Sequence, residues 1–218
     1  MTGRARLDRP SPNCGPRRDG LCPTFVVLHY TAMTSAEAAI ARLCDPAAEV
    51  SAHYLIAGDG RVTCMVAEED RAWHAGQGSW QGLEDINSRS IGIELDNRGT
   101  HPFSEPLMAA LEDLLAGVMD RLSIPPAGVI GHSDMAPGRK VDPGPRFDWQ
   151  RLARQGLAAP LTRQSPESVT PEAFRAAARA AGYSAEAPFE TLLQAVRLRV
   201  APWRAGPLGV EDFTFPAT

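Results

Sequence analysis

The sequence predicts an α/β fold: a mixed central β-sheet flanked by helices, with a small helical module at the C-terminal end. Short apolar runs rich in β-branched residues alternate with segments of helical periodicity over most of the chain, and this alternation is typical of α/β domains. A hairpin signature inside the alternating part argues against an all-parallel sheet. With 218 residues, 44% of them hydrophobic, the chain can form one domain with a sizeable core and a small appendage.

Composition divides the chain into four parts. Residues 1–23 are basic and proline-rich and predict an irregular arm, residues 24–158 carry the alternating pattern, and residues 159–169 are polar and predict a linker. Residues 170–218 form the helical module, which at roughly fifty residues is too small for a large core of its own. We therefore expect the module to pack on the main domain.

The main domain opens with a strand and a helix. Residues 25–28 are apolar and partly β-branched, which predicts a buried strand that ends at His29 and Tyr30. Polar residues at the end of a buried strand are a common location for a site in sheet proteins. The sequence TSAE at residues 34–37 has the form of a capping box and predicts a helix that ends near Asp45.

A hairpin, a loop and a second buried strand follow. Residues 53–56 and 61–66 are apolar runs on either side of a Gly-Asp-Gly turn, which is the signature of a hairpin. Residues 71–82 form a glycine-rich loop with two tryptophans. Residues 90–96 alternate, so Glu94 should lie on a strand and point away from the apolar layer.

Helices account for most of the remaining chain. Ser104 is placed to cap a long helix with leucines at helical spacing as far as Leu122. A short strand at residues 128–131 should deliver the chain to His132, and Asp148 should cap a helix through about residue 157. Two further helices, over residues 170–182 and about 188–200, are predicted in the module.

Charge, apolar runs and cysteines argue against several classes of protein. The formal net charge of -4 argues against a nucleic-acid binder, and no apolar run approaches the ~20 residues that span a bilayer. The four cysteines contain no CxxC pair, so we expect reduced thiols rather than a zinc finger. The N-terminus lacks the apolar core of a signal peptide, which predicts a cytoplasmic location.

The stretch GHSDMAPGRKVDPGPRFDW, residues 131–149, is rich in potential ligands and poor in apolar side chains. A catalytic zinc typically takes three protein ligands and keeps a fourth position open for water. We expect His132 and Asp142 to supply two ligands, and His29 at its strand end to supply the third. The alternative for each lone histidine is a buried residue that serves only as a hydrogen-bonding partner.

Glu94 and Lys140 are the candidate catalytic residues. A carboxylate that faces away from the core can hold a water molecule and take its proton, and a fixed cation beside a metal can stabilise the oxyanion of amide hydrolysis. For Glu94 the alternatives are an exposed strand glutamate or a partner for an arginine. For Lys140 the alternative is a solvated surface lysine.

Aromatic residues of the glycine-rich loop suggest a cleft. Trp73, His74 and Trp80 suit a carbohydrate or peptide ligand, because such pockets are lined by aromatic faces. Core packing is an equal alternative for Trp80. We expect His53, within a strand, to be structural, and we assign no role to His101.

Five segments together resemble the zinc-dependent N-acetylmuramoyl-L-alanine amidases of the AmpD and AmiD kind (amidase type 2), a family in the same superfamily as the peptidoglycan recognition proteins. The segments are FVVLHYTAM, VSAHYLI, RAWHAG, SIGIELDN and GHSDMAPGRKVDPGPRFDW. The resemblance implies that His29, His132 and Asp142 hold zinc. It further implies that Glu94 activates water and Lys140 stabilises the oxyanion, and that the bond cut joins N-acetylmuramic acid to L-alanine.

The same resemblance implies muropeptides or peptidoglycan as partners, with 1,6-anhydro and ordinary muramic acid both open. We assign substrate contacts to Tyr30, Trp73, His74 and Arg139. Two alternatives stay open: a non-hydrolytic peptidoglycan-binding or sensing protein of the same fold, and a zinc hydrolase of another amide. Non-catalytic relatives typically lose a metal ligand, whereas this chain keeps Asp142.

Residues 181–212 resemble the small helical peptidoglycan-binding domain of AmiD-like proteins, but the segment is short and lacks a clear third helix. A peptidoglycan-binding role and a purely structural role are therefore both open for the module. Since AmiD-like enzymes lie in the envelope, this resemblance opposes the cytoplasmic location that the N-terminus predicts.

Overall fold

The computed structural model describes residues 6–218. Its strands are β1 (Arg6–Asp8), β2 (Cys14–Pro16), β3 (Phe25–Tyr30), β4 (Tyr54–Ile56), β5 (Val62–Cys64), β6 (Asp70–Ala72), β7 (Ser90–Leu95), β8 (Val129–Gly131), β9 (Leu161–Arg163) and β10 (Thr214–Pro216). Its helices are α1 (Ala36–Leu43), α2 (Glu105–Leu122), α3 (His132–Met135), α4 (Trp149–Arg154), α5 (Pro171–Ala180) and α6 (Phe189–Val200).

Six of the described strands form a central sheet in the order β1-β5-β4-β7-β3-β8. Strand β3 pairs in parallel with β7 on one side and with β8 on the other, and β4 pairs in parallel with β7. The β4–β5 hairpin is antiparallel, so the sheet is mixed. The α/β prediction and the predicted hairpin are both confirmed.

Alternation along β3 divides its side chains between the two faces of the sheet. Val26 and Leu28 lie in the apolar cluster formed with α2. Phe25 and Val27 lie in the cluster on the opposite face, formed with α5 and α6. Because side chains alternate along a strand, His29 continues the Phe25 and Val27 series and lies on the second face.

Helix boundaries correct three details of the prediction. Ser35 rather than Thr34 caps α1, with its hydroxyl accepting the Ala38 N–H at 3.2 Å. Ser104 is the N-cap residue of α2, as predicted, but its hydroxyl donates to the carbonyl of Gly58 and makes no capping hydrogen bond. Helix α4 ends at Arg154, three residues before the predicted end, because Gly156 has a φ of +71° and cannot continue the helix.

The predicted irregular arm instead contains two short strands. Strand β1 extends the edge of the central sheet beside β5, and β2 pairs with β6. Arg17 holds the segment after β2 in place, because its guanidinium donates to the backbone carbonyls of Glu68, Ser88 and Ser90 at 2.8 to 3.1 Å. Arg17 is one of the basic residues from which an irregular arm was predicted, but its hydrogen bonds fix the segment to the domain. Residues 1–5 of the predicted arm lie outside the described residues.

The C-terminal module shares a core with the main domain. Phe174 of α5 and Leu193 of α6 belong to the same apolar cluster as Phe25, Val27 and Ile130 of the sheet. The segment predicted as a linker contains β9, which pairs with β10 near the C-terminus. The module is therefore the layer that covers the second face of the sheet.

A buried ion pair ties the module to α3. Arg199 Nη1 lies 2.5 Å from Asp134 Oδ2, and neither side chain is more than 2% exposed. The Asp134 carboxylate also accepts the Tyr183 hydroxyl at 3.0 Å and the Gly131 N–H at 2.7 Å. The Arg199 guanidinium lies 3.9 Å from the ring centroid of Trp149. These contacts give the module a polar connection to the segment that follows β8.

Membrane-spanning helices and disulfides are both absent from the described residues. None of the helices within residues 6–218 combines the length and apolarity needed to cross a bilayer. The cysteines in this range, at positions 14, 22, 44 and 64, form no disulfide.

We expect Arg199→Ala to lower the free energy of unfolding by about 3–5 kcal/mol, because the buried Asp134 carboxylate loses its cation. Urea denaturation measures the change. The matched control is Arg179→Ala in the same module, where the pair with Glu186 is exposed and the loss should stay below about 1 kcal/mol. Equal losses in the two variants would contradict a structural role for the buried pair.

Candidate metal centre

Three neighbouring strands bring the candidate residues to one edge of the sheet. In the parallel β3–β7 pairing His29 lies beside Glu94, and in the β3–β8 pairing Leu28 lies beside Gly131. His132 follows Gly131 directly and begins α3. Since the carboxyl ends of parallel strands meet at the same edge, the two histidines and the glutamate converge there.

Three donor atoms meet at this edge. His29 Nδ1 and His132 Nδ1 lie 2.9 Å apart, and Asp142 Oδ2 lies 2.9 Å from the first and 3.0 Å from the second. All three residues are buried. The outer nitrogens have other partners: His132 Nε2 lies 2.8 Å from the Ala75 carbonyl, and His29 Nε2 lies 3.0 Å from His74 Nδ1.

This arrangement fits a divalent cation. With both outer nitrogens engaged, the two Nδ1 atoms face each other and a carboxylate across about 3 Å, and lone pairs that converge in this way repel one another unless a cation lies between them. Two imidazoles and a carboxylate are a ligand set that zinc takes in catalytic sites. The residues present therefore fit the predicted zinc ion. They would supply three ligands and leave its fourth coordination position open to water.

The ligand loop is folded back by backbone contacts. The Ser133 N–H donates to the Asp142 carbonyl at 2.9 Å, and the Lys140 N–H donates to the Ala136 carbonyl at 3.1 Å. Gly144 has a φ of +81°, and a Cβ there would lie 3.1 Å from the Tyr30 ring. The glycine thus gives the loop a turn that other residues adopt with strain, and leaves space for the tyrosine.

Burial and neighbouring groups set the protonation of His29 and Asp142. Burial, together with the neighbouring His132, lowers the pKa of His29 to about 4. Burial opposes ionisation of Asp142, but its contacts with His132 and His29 outweigh this and hold the pKa of that carboxyl well below its usual range. At neutral pH His29 is therefore a neutral imidazole and Asp142 a carboxylate, which are the protonation states that metal ligands require.

Glu94 is a half-buried residue with one buried carboxyl oxygen that has no partner among the described residues. Its Oε2 atom has no hydrogen-bond partner among residues 6–218. Burial raises the pKa of Glu94 to about 8, with a further rise from Asp142 and an opposing effect of Lys140. A carboxyl whose pKa lies near neutrality can both accept and return a proton.

All nine residues predicted for the site line one cavity of about 370 Å³. They are His29, Tyr30, Trp73, His74, Glu94, His132, Arg139, Lys140 and Asp142. The cavity thus contains the predicted ligands, the predicted base and cation, and the predicted substrate contacts together.

Sequence reasoning missed one wall of the cavity. Ala39, Arg42 and Leu43 of α1 line it. Their spacing of three and four residues indicates one face of a helix, but nothing local to these residues indicates that this face covers a site.

The other aromatic candidates separate into core and structural residues. Trp80 is 2% exposed and packs edge-on against Tyr183 with ring centroids 4.9 Å apart, so it is a core residue. His53 is buried and accepts the Gly92 N–H on Nδ1 at 2.9 Å, as expected for a structural histidine. His101 is exposed and lies outside the cavity.

Comparison with known proteins identifies relatives over most of the chain. A family model described as N-acetylmuramoyl-L-alanine amidase matches residues 19–145. The chain is 41% identical to N-acetylmuramoyl-L-alanine amidase AmiD of Escherichia coli (strain K12) over 150 residues, which is 62% of this chain and 53% of AmiD. It is 36% identical to 1,6-anhydro-N-acetylmuramyl-L-alanine amidase AmpD of the same organism, over 70% of this chain and 91% of AmpD. The match to AmiD therefore spans about half of that relative.

Solved structures extend the similarity beyond the matched family region. Escherichia coli AmiD in complex with anhydro-N-acetylmuramic acid-L-Ala-D-gamma-Glu-L-Lys superposes with a TM-score of 0.78 at 30% identity, over 89% of each chain. AmpDh3 from Pseudomonas aeruginosa, in complex with an anhydromuramic pentapeptide, has a TM-score of 0.74 at 32% identity, over 87% of this chain and 88% of that one. Coverage this extensive includes residues of the C-terminal module.

The pKa of Glu94 predicts a pH-dependent stability difference in metal-free protein. Between about pH 5 and 8 the unfolded carboxyl ionises while the folded one stays protonated, so unfolding becomes more favourable as the pH rises. Glu94→Gln removes this effect. The variant should therefore match wild type near pH 4 and exceed its free energy of unfolding at pH 8, by on the order of 3 kcal/mol.

Denaturation in the presence of a chelator, from pH 4 to 9, measures the difference. Glu69→Gln, which changes an exposed glutamate, is the matched control. A Glu94→Gln curve parallel to wild type at every pH would exclude a raised pKa at this position.

Proposed function

Since the chain belongs to the N-acetylmuramoyl-L-alanine amidase family, we propose that it is a zinc-dependent hydrolase of the amide bond between N-acetylmuramic acid and L-alanine. The substrates are muropeptides or peptidoglycan. The observation that carries the proposal is the convergence of His29 Nδ1, His132 Nδ1 and Asp142 Oδ2 within 3.0 Å of one another, in a cavity that Glu94 also lines.

His29, His132 and Asp142 hold the metal in this proposal. Bound zinc would supply Lewis acidity toward water and toward the amide carbonyl. Glu94 orients the attacking water, takes its proton and passes that proton to the amine of L-alanine as the C–N bond breaks. Glu94 would act as a base at neutral pH in its ionised form, which a bound dication would favour although burial alone keeps the carboxyl protonated.

Lys140 stabilises the negative charge that develops on the carbonyl oxygen. Lys140 lines the same cavity as Glu94 and His29, and its charge lowers the pKa of both groups, which supports this role. A fixed cation in a partly desolvated cavity is worth more than the same cation in water. The cavity lining supports this role over that of a solvated surface lysine.

The charge of the cavity rim supports an acidic peptide as part of the substrate. Arg42, Arg139 and Lys140 line the cavity, and a D-gamma-Glu residue is part of the ligand bound by the related AmiD. We propose that these cations bind carboxylates of the stem peptide. Tyr30 and Trp73 offer aromatic faces to the sugar, and His74 completes the proposed set of substrate contacts.

We also propose a cytoplasmic location. The support is the absence of disulfides among the cysteines of residues 6–218, since reduced thiols are typical of the cytoplasm. Immunoblotting of separated cytoplasmic and envelope fractions tests this, and recovery in the envelope fraction alone would overturn it.

Wild-type protein loaded with zinc should convert a defined muropeptide into free stem peptide and a muramic acid product. Mass spectrometry of the products identifies the bond that is cut, and parallel reactions with anhydro and reduced muropeptides separate the two substrate classes. Chelator should abolish the reaction and added zinc should restore it. An intact muropeptide that binds without being cut would instead favour the non-hydrolytic alternative.

Glu94→Gln and Asp142→Ala should fail for different reasons. Glu94→Gln keeps the metal ligands and should lower kcat by about 10²–10⁴-fold with stoichiometric zinc retained. Asp142→Ala removes a ligand and should lose zinc along with activity. Zinc content by atomic absorption and kcat with a defined muropeptide distinguish the two. Full activity of Glu94→Gln would exclude the proposed base.

A further inference from the structure

A chain of hydrogen bonds leads from His29 away from the metal centre and into the sheet. His29 Nε2 lies 3.0 Å from His74 Nδ1. His74 Nε2 lies 3.2 Å from Ser90 Oγ, and Ser90 Oγ lies 2.6 Å from the Ile86 carbonyl oxygen. The chain therefore begins at a proposed metal ligand and ends at a backbone group that can only accept.

The Ile86 carbonyl at the end of the chain determines the direction of every hydrogen bond in it. Because the Ile86 carbonyl accepts, the Ser90 hydroxyl must donate its proton there, and its oxygen is left to accept from His74 Nε2. A neutral His74 with its proton on Nε2 has a lone pair on Nδ1, which accepts from His29 Nε2. The proton of neutral His29 is then on Nε2, and its Nδ1 lone pair is free to face the metal.

Packing holds the His74 ring in this position. Gly92 lies beneath the ring on β7, and a Cβ at that position would lie 2.4 Å from His74 Cγ. The backbone N–H groups of His74 and Ala75 both donate to Asn87 Oδ1, at 3.0 and 2.8 Å. A ring that rests on a glycine and whose backbone is fixed by a buried side chain has little freedom to turn.

We propose that His74 and Ser90 are positioning residues of the metal centre, which fix the tautomer of His29 so that Nδ1 presents its lone pair to the metal. The Ala75 carbonyl, 2.8 Å from His132 Nε2, fixes the tautomer of His132 in the same way. Two consecutive loop residues thus orient both histidine ligands. Partners of this kind hold ligand rings in place and raise their basicity.

This inference rests on the proposed metal site and not on the proposed substrate. It also gives His74 a role beyond the substrate contact assigned from the sequence. Ser90 shows no sequence feature that separates it from an ordinary strand serine, and its function follows only from its contacts.

Nuclear magnetic resonance of zinc-loaded wild-type protein with nitrogen-15-labelled histidine tests the tautomers directly. Long-range proton–nitrogen spectra report which ring nitrogen carries the proton. We expect protonated Nε2 and unprotonated Nδ1 for His74, and protonated Nε2 for His29. A proton on Nδ1 of His74 would overturn the proposal, and this result does not depend on any variant folding.

Variants test the effect on metal binding. Ser90→Ala and His74→Phe should each raise the zinc Kd by about 10- to 100-fold, measured by competition with a chelator, and should change the visible spectrum of the cobalt-substituted protein. Ser90→Thr keeps the hydroxyl and should retain the wild-type Kd. The matched control is Ser88→Ala, because Ser88 is as buried as Ser90 but its hydroxyl oxygen accepts the Arg18 N–H.

The outcomes separate this inference from the proposed function. Wild-type Kd values and cobalt spectra in both Ser90→Ala and His74→Phe would overturn the positioning role while leaving the metal centre intact. Failure of the wild-type protein to bind zinc would instead overturn the proposed metal centre. Equal losses in Ser88→Ala and Ser90→Ala would assign the effect to the buried hydroxyls in general and overturn the specific role of Ser90.

Discussion

The parallel pairing of β3 with both β7 and β8 is the constraint on which the candidate site depends. It sets His29 beside Glu94, and it brings β8 to its end where His132 follows. A slip of one residue in either pairing would turn the alternating side chains to the opposite face. The apolar residues on both faces of β3 fix the register, so the packing of the core determines the geometry of the polar edge.

Burial then determines the chemistry that this edge can support. The same low-polarity surroundings that raise the pKa of Glu94 to about 8 lower the pKa of His29 to about 4. Removal from water disfavours the charged form of each group, which is the anion for an acid and the cation for an imidazole. A carboxyl that binds a proton readily thus lies beside a neutral imidazole.

The sequence predicts the parts of this protein that have a local pattern. The apolar run before His29 and the alternation around Glu94 identified β3 and β7, and the motifs at the strand ends identified residues that share one cavity. The order of residues 6–20 could not be predicted, because it depends on pairing with β5 and β6 and on hydrogen bonds from Arg17 to carbonyls more than fifty residues away. The role of Ser90 and the core position of Trp80 likewise depend on contacts that leave no periodic trace.

The sheet and the C-terminal module share one core. A domain defined by the family model therefore ends earlier than a domain defined by packing. The region that the family model matches ends at residue 145, whereas the apolar cluster on the second face continues to Phe215. A truncation within residues 159–169 would leave Phe25, Val27 and Ile130 facing water, and an apolar surface of this kind promotes aggregation. The region that the family model matches is therefore shorter than the region that shares this apolar core.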